Sequence, residues 1–249
     1  MKLILQCFGM YSKIPVPIVE WDKKGGANSL MFLSLVGLAC GAISLGVFYL
    51  AKLLSLSDAL FSAFMLLSLV LVCGFLHIDG FMDTMDALLS SRGREEKIRI
   101  LKDSTVGAFS VVALVILMIF NYSSFFTLSN ASFTPYILLI IPFVSRGISV
   151  IIIFEFKSLS DKGIMAYFKQ GNKPIHIIII LLQVLIAFVL AYIMGFNYLL
   201  SIIFEVVTMF VISFLGLKAL GGVNGDILGA SVVLGEAVAY LSLGILLGL

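Results

Sequence analysis

Three aspartates spaced four and three residues apart are the side chains of this sequence best suited to metal chemistry. They are Asp79, Asp83 and Asp86, in the segment His77-Ile-Asp-Gly-Phe-Met-Asp-Thr-Met-Asp. On an α-helix this spacing places the three carboxylates on one face, where they repel one another unless a cation lies between them. Hard oxygen donors suit Mg²⁺ better than zinc. The pattern therefore predicts a magnesium site formed by these three aspartates.

A solvated acidic face at a helix end is the alternative interpretation of this spacing. Two features favour a functional site: the aspartates follow a long uncharged run, and the apolar residues between them keep the other side of the helix hydrophobic. His77 lies two positions before Asp79, off the acidic face. It is either a structural residue or an acid–base catalyst, and Asp83 is the other candidate for proton transfer.

Basic residues follow the aspartates closely. Six acidic and five basic side chains lie between residues 79 and 103, and the stretch Lys102-Asp103-Ser-Thr-Val-Gly leads into the next apolar run. A helix that begins there would attract an anion such as phosphate, whereas in the alternative, structural interpretation Ser104 or Thr105 caps it. We expect Lys102 and Asp103 to contact a phosphate-bearing substrate.

Two further positions are candidates for the same site. The segment Gly221-Gly-Val-Asn-Gly-Asp precedes the last apolar run, so Asn224 or Asp226 either caps a helix or binds substrate, and Asp226 is a candidate for the metal shell. Arg146 lies inside an apolar run, where an ionisable side chain is costly. Its planar guanidinium is suited to a phosphate or to an inner carboxylate.

The elements that must position these residues are membrane-spanning helices. The chain has 249 residues, of which 61% are hydrophobic and only 12% charged, and its mean hydropathy is +1.17. These values exclude an ordinary soluble enzyme. Uncharged runs of about 18 residues or more predict a single all-α domain, residues 1–249, built as a polytopic bundle. The seven predicted spans are 29–51, 58–76, 106–127, 136–154, 175–195, 198–217 and 228–248.

The distribution of basic residues predicts the orientation of the bundle. If the N-terminus is cytoplasmic, 15 of the 16 Lys and Arg residues fall on the cytoplasmic side and Lys52 alone falls outside. The phosphate-binding face would then be the cytoplasmic face of the cell membrane, in contact with the lipid bilayer. The net charge of +2 shows no clustered basic surface for nucleic acid.

At these residues the chain resembles the membrane-bound cobalamin synthases, or adenosylcobinamide-GDP ribazoletransferases. The specific match is the block from His77 through Asp86 and Arg92 to Lys102-Asp-Ser-Thr-Val-Gly-Ala-Phe. Residues 8–17 and 221–230 are similar to two other blocks of that family. Lys13 stands where the family more often has arginine, and the segment 156–168 lacks an expected arginine.

The resemblance implies the reaction and a role for each candidate. Adenosylcobinamide-GDP and alpha-ribazole, or its 5′-phosphate, would be joined to give adenosylcobalamin, or its 5′-phosphate, with release of GMP. Mg²⁺ on the three aspartates would neutralise the diphosphate, and His77 or an acid would accept the hydroxyl proton. The remaining substrate contacts would come from Lys102, Asp103, Arg146, Asn224 and Asp226.

Two other classes remain open from the residues alone. A CDP-alcohol phosphotransferase also uses several aspartates and Mg²⁺, but it spaces them differently. An ion-coupled transporter would carry its charges near the middle of the bilayer and on both halves of a pathway. A homo-oligomer is compatible with the sequence.

Overall fold

A computed structural model describes residues 2–12, 14–20, 26–72, 75–171 and 173–248 of the chain. The described residues form α-helices joined by short loops, with a 3-10 helix, Gly26–Phe32, leading into the second. The helices are α1 Lys2–Tyr11, α2 Leu33–Leu53, α3 Asp58–Val72, α4 Leu76–Leu89, α5 Arg94–Ile100, α6 Ala108–Asn130, α7 Ile137–Glu155, α8 Ile164–Gln170, α9 Pro174–Met194, α10 Phe196–Leu220 and α11 Gly225–Gly248.

The predicted all-α membrane bundle is confirmed. Within the described ranges, six helices are long and apolar enough to cross a membrane: α2 with its 3-10 turn, α6, α7, α9, α10 and α11. A seventh span is counted if α3 and α4 are taken together. The predicted turn after span five is also confirmed, because α9 ends at Met194 and Gly195 adopts a φ of 139° that favours glycine.

The second predicted span, 58–76, differs from the structure. Helix α3 ends at Val72, and α4, which carries the aspartates, is a separate helix whose axis is bent by 87° from that of α3. Carboxylates in hydrocarbon are costly, so a helix that carries three of them gains little by continuing straight through the apolar layer. The aspartates therefore belong to a short helix of their own and not to the continuation of a span.

Helix α7 is the centre of the bundle, since nearly all of its side chains are buried. Gly37 and Gly41 of α2 lie directly against its backbone at Pro142 and Leu138, where a Cβ atom would overlap the carbonyl groups. Small residues at such crossings let helices approach closely where no hydrophobic force acts between them. Arg146 is thus held on the most enclosed helix of the protein.

The two ends of the bundle differ in character. The N-terminal ends of α6 and α11 both contact α4, the helix that carries the aspartates. At the opposite end, the Lys52 ammonium donates to the Ser129 carbonyl at 3.2 Å and lies 5.1 Å from the centre of the Phe61 ring. Lys52 is therefore separated from the acidic end by the length of α6.

Candidate active site

Two reciprocal glycine contacts bring α4 and α11 together, backbone against backbone. A Cβ atom on Gly80 of α4 would lie 2.8 Å from the Cα of Asp226, and one on Gly229 of α11 would lie 3.3 Å from the Cα of His77. Both glycines belong to the two motifs that the sequence singles out. The structure therefore joins these motifs, which are about 140 residues apart in the chain, into one site.

A cavity of about 350 Å³ lies at this junction. Its polar wall is formed by His77 and Asp79 of α4, Arg146 of α7, and Asn224 and Asp226 at the start of α11. The rest of the wall is apolar and comes from α1, α2, α7, α8 and α11. Five of the predicted site residues thus share one cavity of the size that binds small molecules.

The carboxylates around the cavity repel one another. Asp83 is half-buried, and the charges of Asp79, Asp226 and Asp86 all act on it. Asp226 accepts a hydrogen bond from the Asn224 side chain at 2.6 Å. In the part of the chain that the structure describes, the ion pairs involve none of these aspartates. The ion pairs of the described residues therefore leave the acidic cluster unneutralised, although Arg146 lines the same cavity.

No three His, Cys, Asp or Glu side chains of the described residues converge tightly enough to hold a metal ion by themselves. This bears on the predicted set of Asp79, Asp83 and Asp86. Asp86 faces away from the cavity toward α6, and Asp79 and Asp226 are the carboxylates that line the wall. Mg²⁺ commonly takes one or two carboxylates and completes its shell with water and substrate phosphates.

Asp86 caps a neighbouring helix. Its two oxygens accept the backbone N–H groups of Gly107 at 2.8 Å and Ser110 at 2.9 Å, at the N-terminus of α6, and the residue is only 9% exposed. A Cβ atom on Gly107 would overlap this carboxylate. The alternative that Ser104 or Thr105 caps the helix was wrong, because a carboxylate from α4 takes that role.

We expect Asp86→Ala to act on stability and not on the magnesium requirement. Two buried N–H groups would lose their acceptor, which lowers the free energy of unfolding by about 2 kcal/mol. Thermal unfolding of the purified protein measures the loss, and titration of the remaining activity with Mg²⁺ measures metal affinity. A large rise in the Mg²⁺ concentration needed for activity, with no change in unfolding temperature, would make Asp86 a ligand instead.

The segment before α11 is fixed by contacts from the loop after α7 and from α5. Val223 pairs with Lys157 and Leu159 through backbone hydrogen bonds of 2.8 and 2.9 Å. The Arg94 Nε donates to the Leu220 carbonyl at 2.8 Å. The Asn224 Oδ1 accepts a hydrogen bond from the Ile227 N–H at 3.1 Å. Asn224 therefore caps α11, which is one of the two roles predicted for it.

Arg146 is paired inside the bundle. Its guanidinium bonds to the Glu236 carboxylate of α11 and to the Ser145 hydroxyl, which itself donates to Glu236 at 2.7 Å. Of the two partners proposed from the sequence, the structure provides the inner carboxylate. Glu205 of α10, fully buried, lies close enough for the Arg146 charge to act on it. Arg146 therefore lines the cavity while it is paired with Glu236.

Lys102 and Asp103 lie outside the cavity, on the exposed loop between α5 and α6. The Thr105 hydroxyl and backbone N–H donate to the Asp103 carboxylate at 2.7 and 2.9 Å, which lowers the pKa of this carboxyl below its usual value. Asp103 thus stabilises a local turn. The structure brings neither residue to the wall formed by α4 and α11.

Some contacts at this end carry no clear sequence signal. Arg94 and Lys97 belong to a basic run that would suit membrane orientation alone, yet Lys97 donates to the Leu88 carbonyl at 3.0 Å and Arg94 holds the loop before α11. Glu236, in contrast, could be singled out from the sequence, because it is one of the few acidic residues within an apolar run. Arg146 stands out among the basic residues for the same reason.

The tight contact of α4 with α11 gives a direct test of the site. We expect Gly80→Ala to push the two helices apart, because its methyl group would meet the backbone of Asp226. Such overpacking costs about 1–3 kcal/mol and displaces the acids. Gly46→Ala in α2 is the control, since nothing lies near its Cβ position. Equal thermal stability and equal activity in the two variants would contradict the described packing.

In a comparison with known proteins, residues 3–244 match the family model described as cobalamin-5-phosphate synthase. An adenosylcobinamide-GDP ribazoletransferase of Clostridium perfringens is 37% identical, with 98% of each chain covered. The namesake of Clostridium botulinum is 34% identical over 97% of this chain and 96% of its own. One from Listeria monocytogenes is 29% identical over the whole of both chains. No solved structure matches.

Proposed function

Because the chain belongs to the cobalamin-5-phosphate synthase family, we propose that it is an adenosylcobinamide-GDP ribazoletransferase. It joins adenosylcobinamide-GDP to alpha-ribazole, or to the 5′-phosphate of alpha-ribazole, and so completes the nucleotide loop of the cobalamin. The observation that carries the proposal is the cavity where Asp79 of α4 and Asp226 of α11 share one wall with Arg146.

The reaction exchanges one phosphorus–oxygen bond for another. A ribose hydroxyl of alpha-ribazole attacks the phosphorus that bears the cobinamide side chain, and the bond from this phosphorus to the bridging oxygen breaks. GMP leaves with that oxygen, and the hydroxyl proton passes to a base. Such a transfer needs little covalent chemistry from the protein, but it needs both ends held in line and the diphosphate charge balanced.

The wall residues fit a divalent cation, and we assign it to Asp79 and Asp226, with Asp83 close by. The donors are hard oxygen atoms, and these acids form no ion pair among the described residues. Mg²⁺ bound there would neutralise the diphosphate and the charge that develops on the departing GMP. This assignment keeps Asp79 and Asp83 from the sequence-based set and replaces Asp86 with Asp226.

His77 is the residue we assign to the hydroxyl proton. It lines the cavity beside Asp79, and its backbone rests against Gly229, which fixes its position relative to α11. Asp83 lies near the other acids but is not part of the cavity wall. We therefore assign it a contribution to the negative charge of the cluster. Arg146 faces the same cavity and contributes positive charge toward the phosphates while Glu236 holds its other side.

We place the site at the cytoplasmic face of the cell membrane. The support is the segregation of charge, since Lys52 lies at the end opposite to the aspartates. A cysteine introduced at exposed Asn130, in a chain without its native cysteines, should react with an impermeant thiol reagent added outside intact cells. Labelling only after the membrane is opened would reverse the orientation.

GMP release by the purified chain in detergent tests the proposed activity. With adenosylcobinamide-GDP, alpha-ribazole and Mg²⁺ present, we expect stoichiometric formation of GMP and adenosylcobalamin. Excess EDTA should abolish the reaction, and added Mg²⁺ should restore it. Absence of product with either form of alpha-ribazole would refute the function, whereas full activity in EDTA would refute only the metal assignment.

A further inference from the structure

A second, larger groove adjoins the cavity. It encloses about 750 Å³ between α1, the extended segment 14–19 and α8. Its walls are mostly apolar, and it shares Met10, Ile164 and Phe168 with the cavity at the aspartates. We call it the N-terminal groove. Its lining residues lie within 5–19 and 164–168, two stretches for which the proposed reaction has so far given no role.

The chain holds this groove open by local bonds. The Gln6 side chain donates to the Glu20 carbonyl at 2.8 Å, and the Ser12 hydroxyl accepts the Ile14 N–H at 3.3 Å, so the segment is tied back on α1 at both ends. Pro15 and Pro17 restrict its backbone. The groove is therefore a pre-formed surface and needs little ordering to receive a ligand.

One polar atom at the groove is left without a protein partner. Gln6 is 4% exposed and contributes to the groove wall, and its Oε1 is a buried acceptor with no hydrogen bond among the described residues. A buried acceptor of this kind is costly unless a donor reaches it. The ligand that suits the groove is large and mostly apolar in its contact surface, with some polar groups.

We infer that the N-terminal groove binds the corrin ring of adenosylcobinamide-GDP. This inference rests on the proposed function. The cavity at the aspartates has to receive the diphosphate and the attacking ribose, which leaves its 350 Å³ no space for a macrocycle. The groove adjoins that cavity through three shared wall residues, is about twice as large and is lined mostly by apolar and aromatic side chains. The ring edge carries primary amides, which suit the smaller polar part of the groove wall.

Filling the groove with a large side chain tests this assignment. Gly9 is exposed at the groove wall, and a Cβ atom there would meet only Val16, at the ordinary contact distance of 3.7 Å. We expect Gly9→Trp to raise the KM for adenosylcobinamide-GDP about tenfold or more and to leave the KM for alpha-ribazole unchanged. Gly46→Trp is the matched control, because its Cβ position on α2 faces open space far from the groove.

A second variant avoids any change within a helix. Ile18 is fully exposed at the groove rim, so Ile18→Asp leaves the core intact while it adds a charge beside the corrin ring. It should raise the same KM several-fold. Unchanged KM values in both variants, or an equal rise in Gly46→Trp, would overturn the inference while the reaction itself stands.

Binding of cobinamide, which lacks the nucleotide, separates this inference from the proposed reaction. Equilibrium dialysis of the detergent-solubilised chain, followed by visible absorbance, measures it without catalysis. Retention by the wild type that Gly9→Trp weakens supports the groove even if no GMP is released. The inference is refuted if Gly9→Trp leaves the retention of cobinamide unchanged. It is also refuted if the wild-type chain retains no cobinamide, as would happen if a lipid occupied the groove.

Discussion

Replacement of Asp226 by asparagine should lower the rate of GMP release by about a thousandfold. The asparagine side chain has the same shape and can still accept the hydrogen bond that Asn224 gives to Asp226. The change therefore removes one negative charge from the cavity wall and leaves the start of α11 in place. We expect kcat to fall and the concentration of Mg²⁺ needed for half-maximal rate to rise.

Asp161→Asn is the control for this prediction. Asp161 is an exposed acid of the loop after α7, at the same end of the molecule but outside the cavity. Its replacement changes the net charge equally and should leave the rate within about twofold of the wild type. If the Asp226→Asn protein keeps more than about a tenth of the wild-type rate, the assignment of Asp226 to the catalytic site is wrong.

Replacement of Glu236 by leucine should destabilise the bundle strongly. It leaves the Arg146 guanidinium in the apolar interior without the carboxylate that now pairs with it. Breaking one side of a buried pair costs about 3–5 kcal/mol, because the remaining charge is not solvated. We expect a much lower unfolding temperature in detergent and a loss of monodisperse protein.

The double variant Arg146→Met, Glu236→Leu distinguishes charge from packing. It removes both charges, so it should regain most of the stability that Glu236→Leu loses. Glu155→Leu, at the exposed end of α7, controls for the added leucine and should have little effect on unfolding. A double variant as unstable as the single one would show that the pair contributes through its shape and not its charge.

The membrane bundle could be predicted from the sequence because its signal is composition over long windows. The runs around 106–127 and 136–154 correspond to α6 and α7, although α6 continues through Ser129 and Asn130, so the turn begins only at Ala131. The 87° bend between α3 and α4 could not be predicted in this way, since both helices are apolar enough to be read as one element. A change of helix direction depends on tertiary contacts that leave no periodic signal.

The site was predictable at the level of its motifs and not of its individual roles. The segments around Asp79 and Asp226 do meet, but spacing alone made Asp86 the equal of Asp79 and Asp83. Side chains at i and i+7 share a helix face only approximately, and α6 approaches α4 at that point. Which aspartate meets a neighbouring helix N-terminus is decided by packing between helices, which a single sequence does not encode locally.

Three fixed points along α4 have a thermodynamic consequence for catalysis. The helix is held at His77 by Gly229, at Gly80 by the backbone of Asp226, and at Asp86 by the first N–H groups of α6. These contacts leave α4 no freedom to slide or rotate along its axis. The entropy cost of arranging the acids therefore arises when the chain folds. A substrate binds to a preorganised array of acids, and its binding affinity is not reduced by that cost.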